Sequence, residues 1–455
     1  MYIEKVNTFL AQKYPEEPPK ACVRSFGCQQ NSNDGEKIKG LLSVMGYSFT
    51  DDTDNADIVI FNTCAVRENA ELKIFGIVGE MKHLKKRKPD VLIGICGCMV
   101  QQEHIVEKIR RTYKQVDFVF GTFAMHKLPE ILYKALTERT FIVDTAEYGI
   151  TENICEKIVR DCTYKAGVQI MYGCNNFCTY CIVPYVRGRE RSRKSDEIIA
   201  EIKGLVADGV KEIMLLGQNV NSYGRGLDED IDFSRLLRKI NGIDGDFRIR
   251  FMSSHPKDAG RELIDAILEC EKVCKHLHLP VQSGSDRVLS AMNRGYTSAQ
   301  YREIVDYARS KKTDFSFSTD IIVGFPNETR EEFEETLELL EYVKFDSVFS
   351  FIYSKRNGTK AALIEDGVDY PEKAERMNIL LKKQREIAVE RYSSFIGREM
   401  LVLIDGPSAT EGKVTGKSDE FIIVEVDGDS SLAGEYVKVR IIGAHNWALI
   451  GNIIN

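Results

Sequence analysis

The sequence predicts an α/β protein in three parts: an N-terminal doubly wound parallel sheet, a central partial (β/α)6 barrel and a small C-terminal β-barrel. Apolar strands that alternate with helical segments from Ala21 to Asp144 indicate the first part, and the same alternation restarting at Lys165 indicates the second. From Phe395 the pattern changes to short strands separated by Gly and Asp turns. The predicted domains are residues 20–140, 160–392 and 394–455.

The composition is typical of a globular intracellular protein. The chain has 455 residues, of which 43% are hydrophobic and 29% are charged. No apolar run approaches the ~18 residues of a membrane span, and Met1–Lys5 lacks the apolar core of a secretory signal. Twelve Cys residues without such a signal indicate a reducing compartment and metal binding rather than disulfides. We therefore expect a cytoplasmic protein without membrane contact. The expected oligomeric state is a monomer.

The N-terminal part begins with residues 1–20, which we expect to be loose because Pro15, Pro18 and Pro19 block regular structure. The segment 56–63 is continuously apolar, as in a strand of a sheet covered on both faces. The predicted strands are 21–27, 56–63, 91–97, 116–121 and 140–144, and the predicted helices are 34–45, 69–86, 102–111 and 127–136.

Three cysteines follow three of these strands. Cys28 comes after the first strand, Cys64 ends the second and Cys98 ends the third. The carboxyl ends of parallel strands share one edge, where ligands bind, so we expect these thiols to converge and to hold an Fe–S cluster. The alternative is three buried free cysteines. Cys96 could replace Cys98, but it lies inside an apolar strand and is interpreted as core packing.

A second cysteine group, Cys174, Cys178 and Cys181, has CxxxCxxC spacing on a loop after a predicted strand. Three thiolates on such a loop can bind three irons of a 4Fe–4S cluster and leave the fourth iron open. The alternatives are buried cysteines and a structural zinc site, which needs a fourth ligand that is not nearby. With Tyr180 before the last cysteine, the motif resembles the radical S-adenosylmethionine (SAM) superfamily. In that superfamily the open iron binds SAM, which is cleaved to a 5′-deoxyadenosyl radical.

The central part contains six β/α units, too few for a closed eight-stranded barrel, so we expect an open partial barrel that suits a bulky substrate. The predicted strands are 167–172, 212–217, 248–253, 276–281, 315–323 and 347–353, and the predicted helices are 195–208, 232–241, 260–272, 298–311 and 328–343. Activity in such folds lies at the C-terminal ends of the strands. The polar residues at these ends are predicted to bind SAM: Gln218, Asn219, Ser254, His255, Gln282, Ser283 and Asp320. The alternative for any one of them is a helix cap or a turn.

The net charge of −7 does not by itself indicate a nucleic-acid-binding protein, but affinity for phosphate follows local patches. One basic patch directly follows the CxxxCxxC loop. Its residues are predicted to bind RNA: Arg187, Arg189, Arg191, Arg193 and Lys194.

The last part follows a predicted connecting helix at 371–391. Its predicted strands are 399–404, 411–415, 421–426, 436–442 and 447–454. Five short strands in this length indicate a barrel on the scale of oligonucleotide-binding barrels. Residues 394–455 contain nine acidic and five basic residues, so RNA would have to bind one face only. The alternative is that this barrel does not bind RNA and only packs against the rest of the protein.

Together the three parts resemble the methylthiotransferase family of radical SAM enzymes, from about residue 20 to residue 455. The family combines an N-terminal three-cysteine domain, a radical SAM core and a C-terminal TRAM barrel. Phe26–Asn31, Asn62–Glu68 and Gly217–Tyr223 are most similar to the subgroup that acts on N6-isopentenyladenosine in tRNA. Gln30, where that subgroup usually has Met, and Ser354–Lys360, which lacks its usual prolines, depart from the pattern without touching a cluster ligand.

The resemblance implies an enzyme that adds a methylthio group to C2 of N6-isopentenyladenosine next to the tRNA anticodon, using two SAM per turnover. It implies two 4Fe–4S clusters: one on the CxxxCxxC cysteines that cleaves SAM, and an auxiliary one on the three N-terminal cysteines that carries sulfur. The implied partners are the tRNA anticodon arm, an electron donor such as flavodoxin or ferredoxin, and a sulfur source. The alternatives are a methylthiotransferase for threonylcarbamoyl-adenosine tRNA or for a ribosomal protein aspartate, and a non-catalytic, zinc-binding RNA module.

Overall fold

The computed structural model describes residues 1–65, 68–146 and 157–454. Val66 and Arg67, which belong to one of the motif segments, and Cys155 lie outside the described residues. The chain divides into two compact units, of which the first comprises Met1–Asp161 and Ile182–Arg189, and the second comprises Cys162–Cys181 and Glu190–Asn455. None of the helices in the described ranges is both long enough and apolar enough to cross a membrane.

The first unit is built on a six-stranded parallel sheet with helices on both faces. Its strands are β1 (Lys20–Ser25), β2 (Ser48–Phe49), β3 (Ile58–Thr63), β4 (Leu92–Gly97), β5 (Phe118–Phe120) and β6 (Ile142–Asp144), and its helices are α1 (Tyr2–Lys13), α2 (Gln29–Val44), α3 (Glu68–Arg87), α4 (Glu103–Thr112) and α5 (Leu128–Glu138). One apolar core, with Val6 and Leu132, packs α1, α2 and α5 against one face. A second core, with Ile74 and Ile105, packs α3 and α4 against the other. The predicted doubly wound sheet is confirmed.

The expectation of a loose lead-in is wrong. Tyr2–Lys13 is helical and ends before Pro15, and its apolar residues Val6 and Leu10, four positions apart, are buried. Residues at this spacing lie on one helix face, so packing against the sheet stabilises a segment that the prolines only terminate. The two-residue strand β2 was also not predicted.

The strand order of this sheet is β2-β1-β3-β4-β5-β6. β1 pairs with β2 on one side and with β3 on the other, so the order reverses between β1 and β3. Ligands of open parallel sheets bind at the carboxyl ends of the strands at such a reversal. Cys28 and Cys64, which follow β1 and β3, therefore stand at the expected ligand position.

The second unit contains six parallel strands in two sheets, β7-β10-β11 and β12-β13-β14, which the bridge between Ile249 and Val273 connects. A short antiparallel ribbon, β8-β9, flanks them. The strands are β7 (Lys165–Gln169), β8 (Met171–Tyr172), β9 (Arg191–Ser192), β10 (Glu212–Leu216), β11 (Arg248–Phe251), β12 (His276–His278), β13 (Ser316–Val323) and β14 (Ser347–Ile352). The helices are α6 (Val183–Val186, in the first unit), α7 (Ser195–Ala207), α8 (Phe233–Asn241), α9 (Arg261–Glu269), α10 (Asp286–Ala291), α11 (Ser298–Lys311) and α12 (Arg330–Val343).

After helix α13 (Tyr370–Ser393), the chain forms a closed five-stranded barrel in the order β15-β16-β17-β19-β18. Its strands are β15 (Glu399–Pro407), β16 (Lys413–Ser418), β17 (Ile423–Asp427), β18 (Tyr436–Ala444) and β19 (Leu449–Ile454). The predicted fold class is confirmed. The predicted second and third domains lie within one compact unit.

Buried charges connect the two barrels of the second unit. Glu212 Oε2 accepts hydrogen bonds from Arg248 Nε and Arg250 Nε, each at 2.7 Å. The same guanidinium groups donate to the carbonyl oxygens of Lys417, at 3.0 Å, and Ser418, at 2.5 Å, in β16. The closed barrel is thus fixed where β10 and β11 begin, at the opposite ends from the polar strand-end residues.

Glu212→Gln should destabilise the second unit in a pH-dependent way. Burial raises the pKa of Glu212, but the charges of Arg250 and Arg248 outweigh it and lower this pKa to about 2. At pH values above its ordinary pKa of 4.5, such a carboxylate stabilises the fold by about 3 kcal/mol. This contribution is lost as the pH falls towards 2. We expect the variant to melt several degrees below the wild type at neutral pH, and the gap to narrow below about pH 4.

Glu435→Gln is the matched control, because Glu435 forms an exposed ion pair with Lys211 at 2.8 Å. Exposed pairs contribute little, so its melting temperature should stay close to that of the wild type. Equal melting temperatures for Glu212→Gln and the wild type at neutral pH would contradict a stabilising role for the buried pair.

Candidate functional site

The carboxyl edge of the first sheet brings together the cysteines that follow β1, β3 and β4, namely Cys28, Cys64 and Cys98. Glycine precedes two of them, with φ of +123° at Gly27 and +95° at Gly97. A Cβ atom on Gly27 would lie 2.3 Å from Cys64 Cβ, and one on Gly97 would lie 2.4 Å from a backbone oxygen of β3. Only glycine permits this close approach of the three cysteine-bearing loops.

The side chain of Asn31 lies at the centre of this group and is fully buried. Its Oδ1 accepts from the thiols of Cys28, at 3.6 Å, and Cys98, at 4.0 Å. Its Nδ2 donates to Thr63 O at 2.8 Å, and its backbone oxygen accepts from Asn62 Nδ2 at 2.6 Å. The asparagine therefore connects the ends of all three cysteine-bearing strands.

Arg187 adds a buried positive charge to the same group. Its Nε donates to Cys98 Sγ at 3.0 Å, and its Nη2 donates to Asn31 Oδ1 at 3.1 Å and to Asp34 Oδ2 at 2.8 Å. The prediction that Arg187 binds RNA is wrong, because its side chain is only 10% exposed and its donors are used inside the protein. A cation beside a thiolate stabilises the charged form that binds metal.

The thiols of this group differ in acidity. The hydrogen bond with Cys64 lowers the pKa of Cys28 to about 6, and the charge of Arg187 acts in the same direction. Burial raises the pKa of Cys98 to about 11, although Arg187 opposes this shift. Burial also raises the pKa of Cys96 well above its usual range, and this residue packs in an apolar core of the sheet.

The CxxxCxxC loop lies in the second unit, where Cys174 and Cys178 are buried and Cys181 is half-buried. The turn after α10 holds this loop. Thr179 donates through its backbone N–H to Met292 O at 3.0 Å and through its hydroxyl to Ala291 O at 2.9 Å. Burial raises the pKa of Cys174 to about 11.

A buried arginine that sequence reasoning missed, Arg294, contacts this loop. Its Nη1 lies 3.4 Å from Cys178 Sγ, and its Nη2 donates to Pro280 O at 2.5 Å. Its Nε donates to the hydroxyl of Tyr296, which in turn donates to Val281 O at 2.7 Å. N–H donors to a ligand sulfur tune Fe–S centres, so Arg294 would position and tune Cys178 while tying it to the end of β12.

Three predicted SAM-binding residues, at the ends of β10 and β11, carry buried polar atoms. Among the described residues, none offers a hydrogen bond to Asn219 Oδ1, Ser254 Oγ or His255 Nε2. Burial, with the nearby charge of Arg294, lowers the pKa of His255 to about 2, so its ring is neutral. Buried polar groups without partners are costly, and a polar ligand at these strand ends would satisfy them.

Gln282 follows β12, and Asp320 lies beside it within β13. The backbone N–H of Gln282 donates to Asp320 O at 2.8 Å, and Asp320 Oδ1 lies 3.5 Å from His278 Nε2. Gln218 is half-buried, and Gly217 separates it from the end of β10. The assignment of these three residues to SAM stays a prediction.

Ser283 does not support the SAM prediction. It is fully buried, and its hydroxyl accepts from the backbone N–H of Ser285 at 3.2 Å and lies 3.3 Å from Thr336 Oγ1. The hydroxyl therefore stabilises the start of α10.

Arg193 is likewise occupied within the second unit. Its Nη1 donates to Gln169 O at 2.6 Å and to Glu201 Oε2 at 2.8 Å. Of the five basic residues predicted to bind RNA, three are exposed: Arg189, Arg191 and Lys194.

Within the described ranges, no three side chains of Cys, His, Asp or Glu are grouped so that they could hold one metal ion.

Three family models match the chain. They are the radical SAM superfamily at residues 168–340, the uncharacterized protein family UPF0004 at residues 20–121 and the TRAM domain at residues 393–454. The first of these implies a 4Fe–4S cluster and SAM as cofactors.

Known structures share the fold at low sequence identity. The radical SAM methyltransferase TsrM from Kitasatospora setae aligns with a TM-score of 0.55 and 14% identity, over 76% of this chain and 75% of that one. The cobalamin-dependent SAM radical enzyme OxsB aligns with a TM-score of 0.51 and 13% identity, over 82% of this chain and 57% of that one.

Curated relatives are far more similar. A tRNA-2-methylthio-N(6)-dimethylallyladenosine synthase from Acetivibrio thermocellus is 50% identical, over 95% of this chain and 90% of the relative. Enzymes of the same name from Thermoanaerobacter pseudethanolicus and Clostridium perfringens are each 49% identical, over 95% of this chain and 92% and 97% of the relatives. The chain therefore belongs to the family of tRNA-2-methylthio-N(6)-dimethylallyladenosine synthases, as the sequence motifs predicted.

Proposed function

We propose that the chain adds a methylthio group to C2 of N6-dimethylallyladenosine next to the tRNA anticodon. The observation that carries this proposal is the presence of two separate three-cysteine groups, one after the parallel strands β1, β3 and β4 and one on the loop that follows β7 and β8. The C2–H bond of adenine is unactivated, so acid–base or nucleophilic side chains alone would not break it.

In the second unit, Cys174, Cys178 and Cys181 would hold one 4Fe–4S cluster. Asn219, Ser254 and His255 would use their unsatisfied polar atoms to bind SAM. When bound, the cluster and SAM supply the radical chemistry that removes a hydrogen from a carbon such as C2. Arg294 would hold Cys178 in place, and the neutral ring of His255 could accept or donate a hydrogen bond without adding charge.

In the first unit, Cys28, Cys64 and Cys98 would hold an auxiliary 4Fe–4S cluster. Asn31 and Arg187 would fix the loops that carry these thiolates and compensate part of their negative charge. The glycines that precede two of the ligands leave room for the close approach of these loops. When bound, this cluster supplies the sulfur atom of the product.

The enzyme would need tRNA, an electron donor and a sulfur source as partners. Exposed Arg189, Arg191 and Lys194, together with the C-terminal barrel, would bind the anticodon arm of tRNA through its phosphates. A small electron donor such as flavodoxin or ferredoxin would supply electrons, and a separate sulfur source would restore the auxiliary cluster. The enzyme would act as a cytoplasmic monomer and use two SAM per turnover, one to donate the methyl group and one to give the radical that removes the C2 hydrogen.

The test is an anaerobic reaction with SAM and a reductant, followed by digestion of the RNA and mass spectrometry of the nucleosides. We expect 2-methylthio product from tRNA that carries N6-dimethylallyladenosine, and none from the same tRNA without the dimethylallyl group. Parallel reactions contain threonylcarbamoyl-adenosine tRNA and ribosomal protein. A product in either of these, with none on the first substrate, would overturn the proposal.

A further inference from the structure

Two phenylalanines on β14 expose a large part of their rings. Phe349 is 41% exposed and Phe351 is 39% exposed. They are two residues apart on one strand, so they point to the same side of the sheet. They therefore form one apolar surface, which is called here the Phe349/Phe351 surface.

The strand register shows which side this is. Phe349 pairs with Asp320 and Phe351 pairs with Ile322 of β13. The alternate residues of β13, such as Phe317 and Ile321, pack in the core beneath the helices. The Phe349/Phe351 surface therefore lies on the other side of the sheet, which is the inner side of the partial barrel.

The polar neighbours of this surface are His278, the last residue of β12, and Asp320, which lies within β13. The ring of Phe349 meets the ring of His278 edge to face, with centroids 5.8 Å apart. His278 Nε2 in turn lies 3.5 Å from Asp320 Oδ1. A ligand on the Phe349/Phe351 surface would thus lie beside a carboxylate, near the carboxyl ends of the strands where barrel enzymes act.

The aromatic, apolar character of the Phe349/Phe351 surface indicates which ligand it would bind. Enzymes that modify a base take it out of its stack, and every base has a flat face that binds well to an aromatic ring. A dimethylallyl group is uncharged and apolar, so it would bury exposed ring surface. A threonylcarbamoyl group instead carries a carboxylate, which the nearby Asp320 would repel.

We propose that Phe349 and Phe351 bind the adenine ring and its N6-dimethylallyl group and thereby select this nucleoside. The inference rests on the proposed function, because it takes the modified adenosine as the substrate. Phe349 would stack on the base, and Phe351 would contact the same ligand from two positions further along the strand. These residues are specificity determinants and take no part in the bond changes.

The test measures binding of the anaerobically purified holoenzyme to fluorescent anticodon stem-loops, with and without the dimethylallyl group. We expect the wild type to prefer the modified loop by about tenfold, the scale of burying about two carbons of the dimethylallyl group. Phe351→Ala should lose most of this preference and bind the unmodified loop as the wild type does. Phe349→Ala should also lose most of the preference, and it should bind both loops more weakly, because both share the stacking contact with the base. Phe349→Leu, which keeps apolar volume without an aromatic face, should show an intermediate preference.

Phe49→Ala is the matched control, since Phe49 is a phenylalanine on β2 with a similar exposure of 37%. It should keep the full preference. If the wild type makes the methylthio product and Phe349→Ala and Phe351→Ala keep the preference, the inference is wrong and the proposed function stands. If the wild type neither prefers the modified loop nor makes product from it, the proposed function itself fails.

Discussion

Cys174→Ala should abolish SAM cleavage. Cys174 is the first residue of the CxxxCxxC group, and its loss leaves two thiolates for a cluster that needs three. Removing only an outer contact to a metal ligand costs about 10- to 100-fold, so loss of the ligand itself should reduce 5′-deoxyadenosine formation by at least about 100-fold. Chromatography of an anaerobic reaction with SAM and a reductant measures this product.

Cys270→Ala separates this effect from the general loss of a buried thiol. Cys270 packs in the apolar core of the same unit and is 2% exposed, away from the polar strand ends. It should cleave SAM as the wild type does. Continued SAM cleavage by Cys174→Ala would mean that this motif does not hold the cluster.

Cys64→Ala should cleave SAM and yet make no methylthio product. Cys64 belongs to the other cysteine group, where it hydrogen-bonds with Cys28 beneath the glycine turn at Gly27. Its loss should leave the second unit intact and reduce the 2-methylthio nucleoside by at least about 100-fold. Both products, 5′-deoxyadenosine and the 2-methylthio nucleoside, are measured in one reaction. Their ratio shows whether SAM cleavage continues without formation of the methylthio product.

Cys96→Ala is the control for this variant, because Cys96 is a buried cysteine of the same unit that packs in the core. It should give both products. If Cys64→Ala still makes the methylthio nucleoside, the sulfur does not come from a cluster on these cysteines.

The fold could be predicted because it follows from local patterns. Continuously apolar strands such as β3 and β4 indicate a sheet covered on both faces, and the alternation with helices then fixes a parallel sheet. Parallel strands share one carboxyl edge, so the grouping of Cys28, Cys64 and Cys98 could be inferred from their strand-end positions. Helix α1 was missed, because the prolines that follow it obscured the spacing of its two buried residues.

The partners of the cysteines could not be predicted in this way. Arg187 contacts a cysteine 89 residues earlier in the chain, and Arg294 contacts one 116 residues earlier. No spacing rule connects residues so far apart, and a basic run after a cysteine loop is as typical of an RNA-binding surface as of a buried ion pair. The strand-end rule did find Asn219, Ser254 and His255, but it could not distinguish them from Ser283, whose hydroxyl stabilises a helix start.

The central claim is that the chain carries two 4Fe–4S clusters on six cysteines. The most direct test is the content of iron and acid-labile sulfide per chain, measured anaerobically for the wild type and for the Cys28→Ala, Cys64→Ala, Cys98→Ala triple variant. Two clusters predict about eight irons in the wild type and about four in the variant. About four irons in both proteins would contradict the claim and leave the three N-terminal cysteines without a metal.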